Sequence, residues 1–262
     1  MNEPGAEREA RLKAEVEDVP TISNERYQGI SRRAFLTGGA AVTAGVFGFY
    51  SLQNRPEIDN IPDVTRRFHE LNERIWSATF REEHLAPTFA PSESSILRVN
   101  GRVGLRSEID LDSWTLEVQA PDGTQLGTHT LADIQALPKH KMIIEHKCVE
   151  GWSQITTWAG ARFVDFQAWY PEYADTAYVA LETPGGDYYV GNDRPTMNHA
   201  QTLLVYEMVG QPLDQEHGAP LRLATPLKYG IKQLKRIGVV RFTDDRPGDY
   251  WAERGYDYYA AL

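Results

Sequence analysis

The sequence has a single cysteine, Cys148, and no other side chain in it has as wide a chemical range. An intramolecular disulfide is excluded because a second cysteine is lacking. Three roles remain: a small buried hydrophobe, a nucleophile whose pKa is lowered by a neighbour such as Lys147, or a thiolate ligand of a soft metal. The seven histidines include no His-x-x-x-His pair that would complete a tetrahedral site. A metal at Cys148 would therefore take most of its ligands from elsewhere.

A strand is predicted to position this cysteine. Met142–Lys147 reads as a strand that runs directly into Cys148. Glu150 follows two residues later. It is either a surface carboxylate at the end of the strand or a proton relay beside the thiol.

The wider pattern predicts one mixed α+β domain over residues 92–262. Its strands are predicted at Ile96–Val99, Trp114–Val118, Thr176–Glu182 and Arg236–Phe242. Its helices are predicted at Leu131–Leu137 and Phe163–Tyr170. Thr202–Val209 is apolar enough for a buried strand or a buried helix, and periodicity does not decide between them.

Residues 55–91 are predicted to be a linker with a short helix near Val64–Trp76. Val64, Phe68, Leu71 and Ile75 recur at helical spacing in that segment. We expect this apolar stripe to pack against the domain.

The N-terminal residues are predicted to be a targeting segment. Residues 1–30 are polar and predict a disordered leader. Ser31–Leu36 places Arg32 and Arg33 before Phe35 and Leu36, and residues 34–54 carry no charge, which resembles a twin-arginine export signal. The uncharged stretch is long enough to span a bilayer but rich in glycine. An uncleaved anchor and a poorly recognised cleavage site both remain open for residues 31–54.

Composition excludes several classes of protein. With 41% hydrophobic and 24% charged residues, the chain is neither disordered throughout nor a polytopic membrane protein. The formal net charge of −10 opposes binding to phosphate backbones, so no nucleic-acid partner is expected.

Four segments in order resemble the sulfite oxidase family of molybdopterin oxidoreductases. The likeness is greatest to its bacterial branch, which contains the catalytic subunit of periplasmic methionine-sulfoxide reductase. The segments are Cys148–Ser153, Tyr178–Thr183, His217–Arg222 and Pro226–Lys232. The export signal agrees with this resemblance independently, because a pterin cofactor would be inserted before transport.

The resemblance implies a molybdenum bound by the dithiolene of one molybdopterin, by oxo or hydroxo groups and by the thiolate of Cys148. A pterin phosphate favours guanidinium, ammonium and backbone N–H donors. His217 departs from the family pattern, since the reductase relatives carry an amide there. The residues implied for cofactor binding are Asn100, Arg102, Val103, Thr183, His217, Arg222, Gln233, Leu234 and Lys235.

The resemblance also implies the activity, which is reduction of an S-oxide or N-oxide by oxygen-atom transfer. The alternatives are sulfite oxidation on the same scaffold and a pterin-binding subunit without catalysis. Cys148 is followed by Glu150 and Trp152 rather than by an arginine, which argues against a sulfite dianion.

No C-terminal dimerisation domain is recognised, so a monomer is expected. No Cys-x-x-Cys-His haem motif is recognised either, so a separate electron-transfer protein is expected, most simply a membrane haem protein. The substrate is a small-molecule or protein-bound oxide, and the location is the periplasm or the outer face of the membrane.

Overall fold

The computed structural model describes residues 24–53, 55–106 and 108–262. Residues 1–23 of the predicted leader lie outside the described residues, and residues 24–30 form the start of a helix. The chain divides into two compact units between Arg55 and Pro56. The first unit contains helix α1 (Asn24–Gln53), which includes the residues of the twin-arginine pattern. None of the described helices is both long and apolar enough to cross a membrane.

The second unit is a mixed α+β domain, as predicted. Its helices are α2 (Asp63–Thr79), α3 (Leu131–Ala136), α4 (Phe163–Gln167) and α5 (Arg194–Asn198). Its strands are β1 (Glu57–Ile58), β2 (Ile61–Pro62), β3 (Leu116–Gln119), β4 (Gln125–His129), β5 (Lys139–Lys147), β6 (Ser153–Arg162), β7 (Tyr178–Glu182), β8 (Tyr189–Asp193), β9 (Leu203–Met208), β10 (Gln211–Pro212), β11 (Arg222–Ala224) and β12 (Val239–Thr243).

Two five-stranded sheets carry the domain. One has the order β10-β9-β6-β5, with β11 also paired to β9, and is antiparallel. The other has the order β4-β3-β12-β7-β8, in which only β3 and β12 are parallel. Side chains from both sheets meet in the larger core cluster, for example Leu116, Leu181 and Leu204.

Strand β9 resolves the ambiguous segment Thr202–Val209. Leu204 and Tyr206 belong to the core between the sheets, whereas Leu203 and Val205 belong to a second core on the other face. Because successive side chains of a strand point to opposite faces, a strand with two buried faces is apolar throughout. Its sequence therefore has no alternation.

Two expectations are wrong. Ile96–Val99 is not a strand; the backbone N–H of Ser95 donates to Ile155 O, and that of Arg98 donates to the Gln154 side chain. The segment predicted as a linker, residues 55–91, belongs to the compact domain from Pro56 onward. Its helix α2 contains the predicted Val64–Trp76 segment and is joined to the domain by an ion pair of 3.0 Å between Glu73 and Arg246.

Candidate active site

A tight connection between β5 and β6 places Cys148. The two strands pair to their ends, with Lys147 opposite Ser153, and the connection is closed by a hydrogen bond from Cys148 N to Trp152 O at 2.9 Å. Gly151 adopts a φ of +85°, which favours glycine. The strand predicted at Met142–Lys147 is thus confirmed, and it begins three residues earlier, at Lys139. Its alternation puts Met142, Ile144, His146 and Cys148 on one buried face.

Cys148 is buried in the wall of a cavity of about 230 Å³. The cavity is formed by the β5–β6 connection and by three segments distant in sequence: the loop 97–103, the segment 230–235 and the C-terminal residues 251–256. Arg222 on β11 and Tyr188 complete the wall. Eighteen residues line it: Leu97, Arg98, Asn100, Gly101, Val103, His146, Cys148, Val149, Glu150, Trp152, Tyr188, Arg222, Gly230, Ile231, Gln233, Lys235, Trp251 and Tyr256.

The side chains of Lys235 and His217 hold the loop 97–103 against the thiol. Lys235 Nζ donates to Asn100 O at 2.7 Å, and the Asn100 amide donates to Cys148 Sγ at 3.7 Å. His217 lies behind the loop, where its Nε2 is 2.7 Å from Leu97 O and its Nδ1 is 2.7 Å from an Asp214 carboxylate oxygen. Both ring nitrogens of His217 thus lie beside oxygen atoms, and these contacts position the ring behind the loop.

Two cations line the inner wall, of which Arg222 is fully buried and Lys235 is half-buried. The Arg222 guanidinium lies 4.5 Å from the centre of the Trp158 ring and donates to His217 O at 3.1 Å. Burial lowers the pKa of Arg222 to about 10, so it remains a cation at neutral pH. Burial, together with the charge of Arg222, lowers the pKa of Lys235 to about 8. The inner part of the cavity is therefore an anion-attracting environment.

Two buried polar atoms of the wall, His146 Nδ1 and Gln233 Oε1, form no hydrogen bond of good geometry within the described part of the chain, although the Gln233 side chain interacts with the His146 ring. The amide nitrogen of Gln233 is already used, since it donates to Thr225 O and Lys228 O. Burial and the nearby Arg222 charge lower the pKa of His146 to about 3, so this ring is neutral. Unpaired buried polar atoms cost about 1–3 kcal/mol each, which is consistent with a wall shaped for a polar ligand.

The mouth of the cavity carries Glu150, Trp152 and Arg98. Glu150 is exposed, and its carboxylate accepts a hydrogen bond of 3.1 Å from the Trp152 indole N–H. The guanidinium of Arg98 lies 4.7 Å from the centre of the Trp152 ring. A carboxylate, an indole edge and a guanidinium thus share the entrance.

The structure brings together seven of the eleven residues selected from the sequence, namely Asn100, Val103, Cys148, Glu150, Arg222, Gln233 and Lys235. The other four lie outside the wall. Arg102 is exposed, 3.9 Å from Glu216; the Leu234 side chain is in the core; His217 and Thr183 lie behind the wall. Thr183 supports Tyr188, whose backbone N–H donates to Thr183 Oγ1.

Sequence reasoning missed His146, Tyr188, Trp251, Tyr256 and Arg98 as parts of the wall. The two-residue alternation of β5 was a usable signal for His146, since it puts this residue on the face of Cys148. No arginine follows Cys148 closely in the sequence, but the structure brings the guanidinium of Arg98 from a distant segment to the Trp152 ring at the entrance.

A buried thiol beside cations, amides and unpaired polar atoms defines a redox site of the kind that holds a metal together with an organic cofactor. Within the described residues, no group of three or more His, Cys, Asp or Glu side chains could hold a metal without such a cofactor.

Comparison with known proteins gives the family. Residues 103–251 match the family described as the oxidoreductase molybdopterin binding domain, and the chain belongs to this family. It is therefore a molybdopterin-dependent oxidoreductase whose cofactor is molybdopterin with molybdenum. The resemblance, the fold class, the enzyme class and the cofactor inferred from the sequence are confirmed.

The chain is similar to several proteins of that family. It is 31% identical over 87% of its length to a provisionally named protein-methionine-sulfoxide reductase subunit, YedZ1 of Azospira oryzae, and covers 87% of that protein. MsrP, named a protein-methionine-sulfoxide reductase catalytic subunit, is 28% identical over 60% of the chain in Campylobacter jejuni and 30% identical over 55% in Xanthomonas axonopodis. These matches cover 59% and 49% of the two MsrP proteins.

Among solved structures, the sulfane dehydrogenase SoxCD of Paracoccus pantotrophus matches 53% of this chain and 40% of its own, with a TM-score of 0.47 and 16% identity.

The donor set of the cavity fits a molybdopterin. A soft thiolate suits molybdenum, and Arg222 and Lys235 suit an anionic phosphate. The unpaired His146 Nδ1 and Gln233 Oε1 can pair with the polar edge of a pterin.

Proposed function

We propose that this chain is the catalytic subunit of a cell-envelope reductase that removes the oxygen atom from an S-oxide such as methionine sulfoxide. The observation that carries the proposal is the thiol of Cys148 in a cavity whose wall contains Arg222 and Lys235 and whose entrance holds Glu150 and Trp152. The names of the YedZ1 and MsrP relatives support the same substrate class.

Cys148 would bind the metal, and Asn100, Val103, Arg222, Gln233 and Lys235 would hold the pterin. When bound, this cofactor supplies two-electron oxygen-atom transfer. Four further residues would support the site from outside the wall. His217 fixes the loop 97–103, Thr183 fixes Tyr188, Leu234 anchors the segment of Gln233 in the core, and Arg102 contributes charge outside the wall.

Glu150 would move the protons. Reduction of R₂S=O to R₂S and water consumes two electrons and two protons, so a carboxylate in contact with solvent and cavity can deliver them one after the other. The indole N–H of Trp152 orients this carboxylate, and the ring offers an apolar surface to the thioether part of the substrate.

One observation favours sulfite oxidation as the second candidate, namely the guanidinium of Arg98 at the entrance. A dianion needs paired cations on entering a site of low dielectric, because each uncompensated charge there costs several kcal/mol. Glu150 opposes it at the same entrance, so a neutral dipolar S=O group is the preferred guest.

Steady-state assays in both directions, on one molybdenum-loaded preparation, test the reaction. We expect dye-reduced enzyme to turn over methionine sulfoxide with a kcat/KM at least tenfold above that for sulfite with an oxidised acceptor, a gap of about 1.4 kcal/mol. Arg98→Gln should leave oxide reduction within a few-fold of the unsubstituted enzyme. Faster sulfite oxidation that Arg98→Gln abolishes would establish the second candidate instead.

We further propose export by the twin-arginine route, function as a monomer, and electrons from a separate membrane haem protein. Replacing Arg32 and Arg33 by lysine is expected to leave the protein in the cytoplasm, because the signal requires the arginine pair. Fractionation of cells, followed by molybdenum analysis of each fraction, measures this. Undiminished periplasmic protein would contradict the export route, and residues 31–54 would then be an ordinary anchor.

A further inference from the structure

Helix α2 is attached to the domain by its polar side. The Arg66 guanidinium donates to Ala252 O at 2.6 Å and to Tyr256 O at 3.0 Å, and the Asn72 amide donates to an Asp257 carboxylate oxygen at 2.6 Å. These bonds, from two side chains six residues apart along the helix, fix the orientation of α2 against the domain.

The apolar face of α2 consequently points away from the domain. Phe68, Leu71 and Ile75 are 67%, 50% and 54% exposed. We call these three residues the outer face of α2. The sequence predicted a helix whose apolar stripe packs against the domain. The helix and the helical spacing of the stripe are present, but the stripe faces away from the core. An exposed row of large apolar side chains on one helix usually marks an interaction surface.

Cationic side chains border the outer face. Among the residues of α2 classed as exposed, the charged ones are Arg67 and Arg74. Arg67 is 3.6 Å from Asp63 and still has 74% of its side chain exposed. The acidic residues Asp63 and Glu73 lie on the inner side, with 12% and 18% of their side chains exposed. The half-buried Glu70 lies between the two arginines in the helix, so two exposed cations and one half-buried carboxylate border the outer face on a chain of net charge −10.

We propose that the outer face of α2 docks on an anionic phospholipid surface. Three apolar side chains with arginines beside them are typical of an interfacial helix, which buries its apolar face about 5–10 Å into the headgroup region while cations contact phosphates. A neutral apolar partner would not use the arginines. The proposal rests on the cell-envelope location proposed above, and α2 begins only nine residues, 54–62, after helix α1 ends.

The docked orientation has a consequence for the active site. The carbonyl oxygens that hold Arg66 belong to the segment 251–256, and Trp251 and Tyr256 of the same segment line the cavity. Lipid docking through α2 would therefore hold the cavity wall near the membrane surface, where a membrane-embedded electron donor is accessible.

Vesicle flotation of the full-length, cofactor-loaded protein tests the lipid contact. With vesicles of phosphatidylethanolamine and phosphatidylglycerol, the double variant Phe68→Gln/Ile75→Gln should bind at least tenfold more weakly than the unsubstituted chain, because apolar area is lost at the contact. A matched double variant, Leu111→Gln/Val164→Gln, changes exposed apolar residues elsewhere and should bind normally. Arg67→Glu/Arg74→Glu should remove the preference over phosphatidylcholine vesicles. Equal binding by all variants would overturn the proposal.

A local probe separates α2 from any contribution of α1. An environment-sensitive dye on Leu71→Cys should shift to shorter wavelength with anionic vesicles and be quenched by brominated lipids, whereas the same dye on Val164→Cys should not respond. Unsubstituted protein taken through the same labelling corrects for Cys148. Flotation of the protein without a response of the dye at position 71 would overturn the proposal. A dye response at position 71 that increases with protein concentration in the absence of lipid would also overturn it, because it would indicate that the outer face binds a second copy of the chain.

Activity distinguishes failure of this proposal from failure of the proposed function. Dye-driven oxide reduction in solution should be the same in Phe68→Gln/Ile75→Gln and in the unsubstituted enzyme, since the outer face is not part of the cavity wall. Loss of lipid contact with intact oxide reduction in the variants supports the docking role. If the protein contacts lipid but reduces no oxide, the proposed function is refuted and the proposal of a docking surface stands.

Discussion

Replacement of Cys148 by serine is expected to leave the fold intact and to lower oxide reduction by at least about a hundredfold, the range in which even outer residues of metal sites act. The change is nearly isosteric, so the β5–β6 connection and its hydrogen bond from Cys148 N to Trp152 O should survive. A hydroxyl is a poor ligand for a soft metal, whereas a thiolate is a good one. Turnover with methionine sulfoxide, molybdenum content and pterin content are measured on the same preparation.

Ser153→Ala is the matched control, since Ser153 lies in the same hairpin but donates to Glu145 on its exposed side. It should retain full activity and full molybdenum. If the Cys148→Ser protein kept most of its activity, the thiolate would not be the ligand and the proposed site would be wrong. If it lost activity with the metal in place, the thiolate would instead control the reactivity of the metal.

Asp249→Asn is expected to destabilise the domain by about 3–5 kcal/mol, the usual effect of breaking a buried ion pair from one side. The Lys232 and Asp249 side chains are each only 1% exposed and form a direct ion pair. Removal of the carboxylate charge leaves the ammonium group of Lys232 buried without its counter-ion. Urea unfolding at pH 7 measures the change in the free energy of unfolding.

The double variant Lys232→Met/Asp249→Asn should be more stable, by more than about 1 kcal/mol in the free energy of unfolding, than the sum of the two single effects predicts. The reason is that the uncompensated buried charge is then absent. Glu207→Gln is the exposed counterpart. Its partner Lys139 has half of its side chain exposed, so Glu207→Gln should lower the free energy of unfolding by at most about 1 kcal/mol. A cost below 1 kcal/mol for Asp249→Asn would mean that the environment of Lys232, including the Tyr258 ring 4.1 Å away, already stabilises the ammonium.

Much of the local structure around the thiol could be predicted from the sequence. The strand before Cys148, the turn at Gly151 and the helices at Leu131–Ala136 and Phe163–Gln167 depend on neighbours in the chain. Helix α3, for example, begins at a Thr130–Asp133 capping pair and ends before Pro138. The family resemblance added the identity of the cofactor, because the segment after Cys148 is specific.

The sequence by itself thus determined the fold class, the thiol and its strand, since residue type and short-range spacing carry that information, whereas most of the polar residues of the wall were implied by the family resemblance. Only the tertiary structure decided which segments meet. Arg98 joins Glu150 at the entrance, Arg102 does not enter the cavity, and α2 turns its apolar side outward. Periodicity shows which residues share a helix face, but not which face is buried. That choice is made by contacts between residues far apart in the chain, here Arg66 with the carbonyl groups of residues 252 and 256.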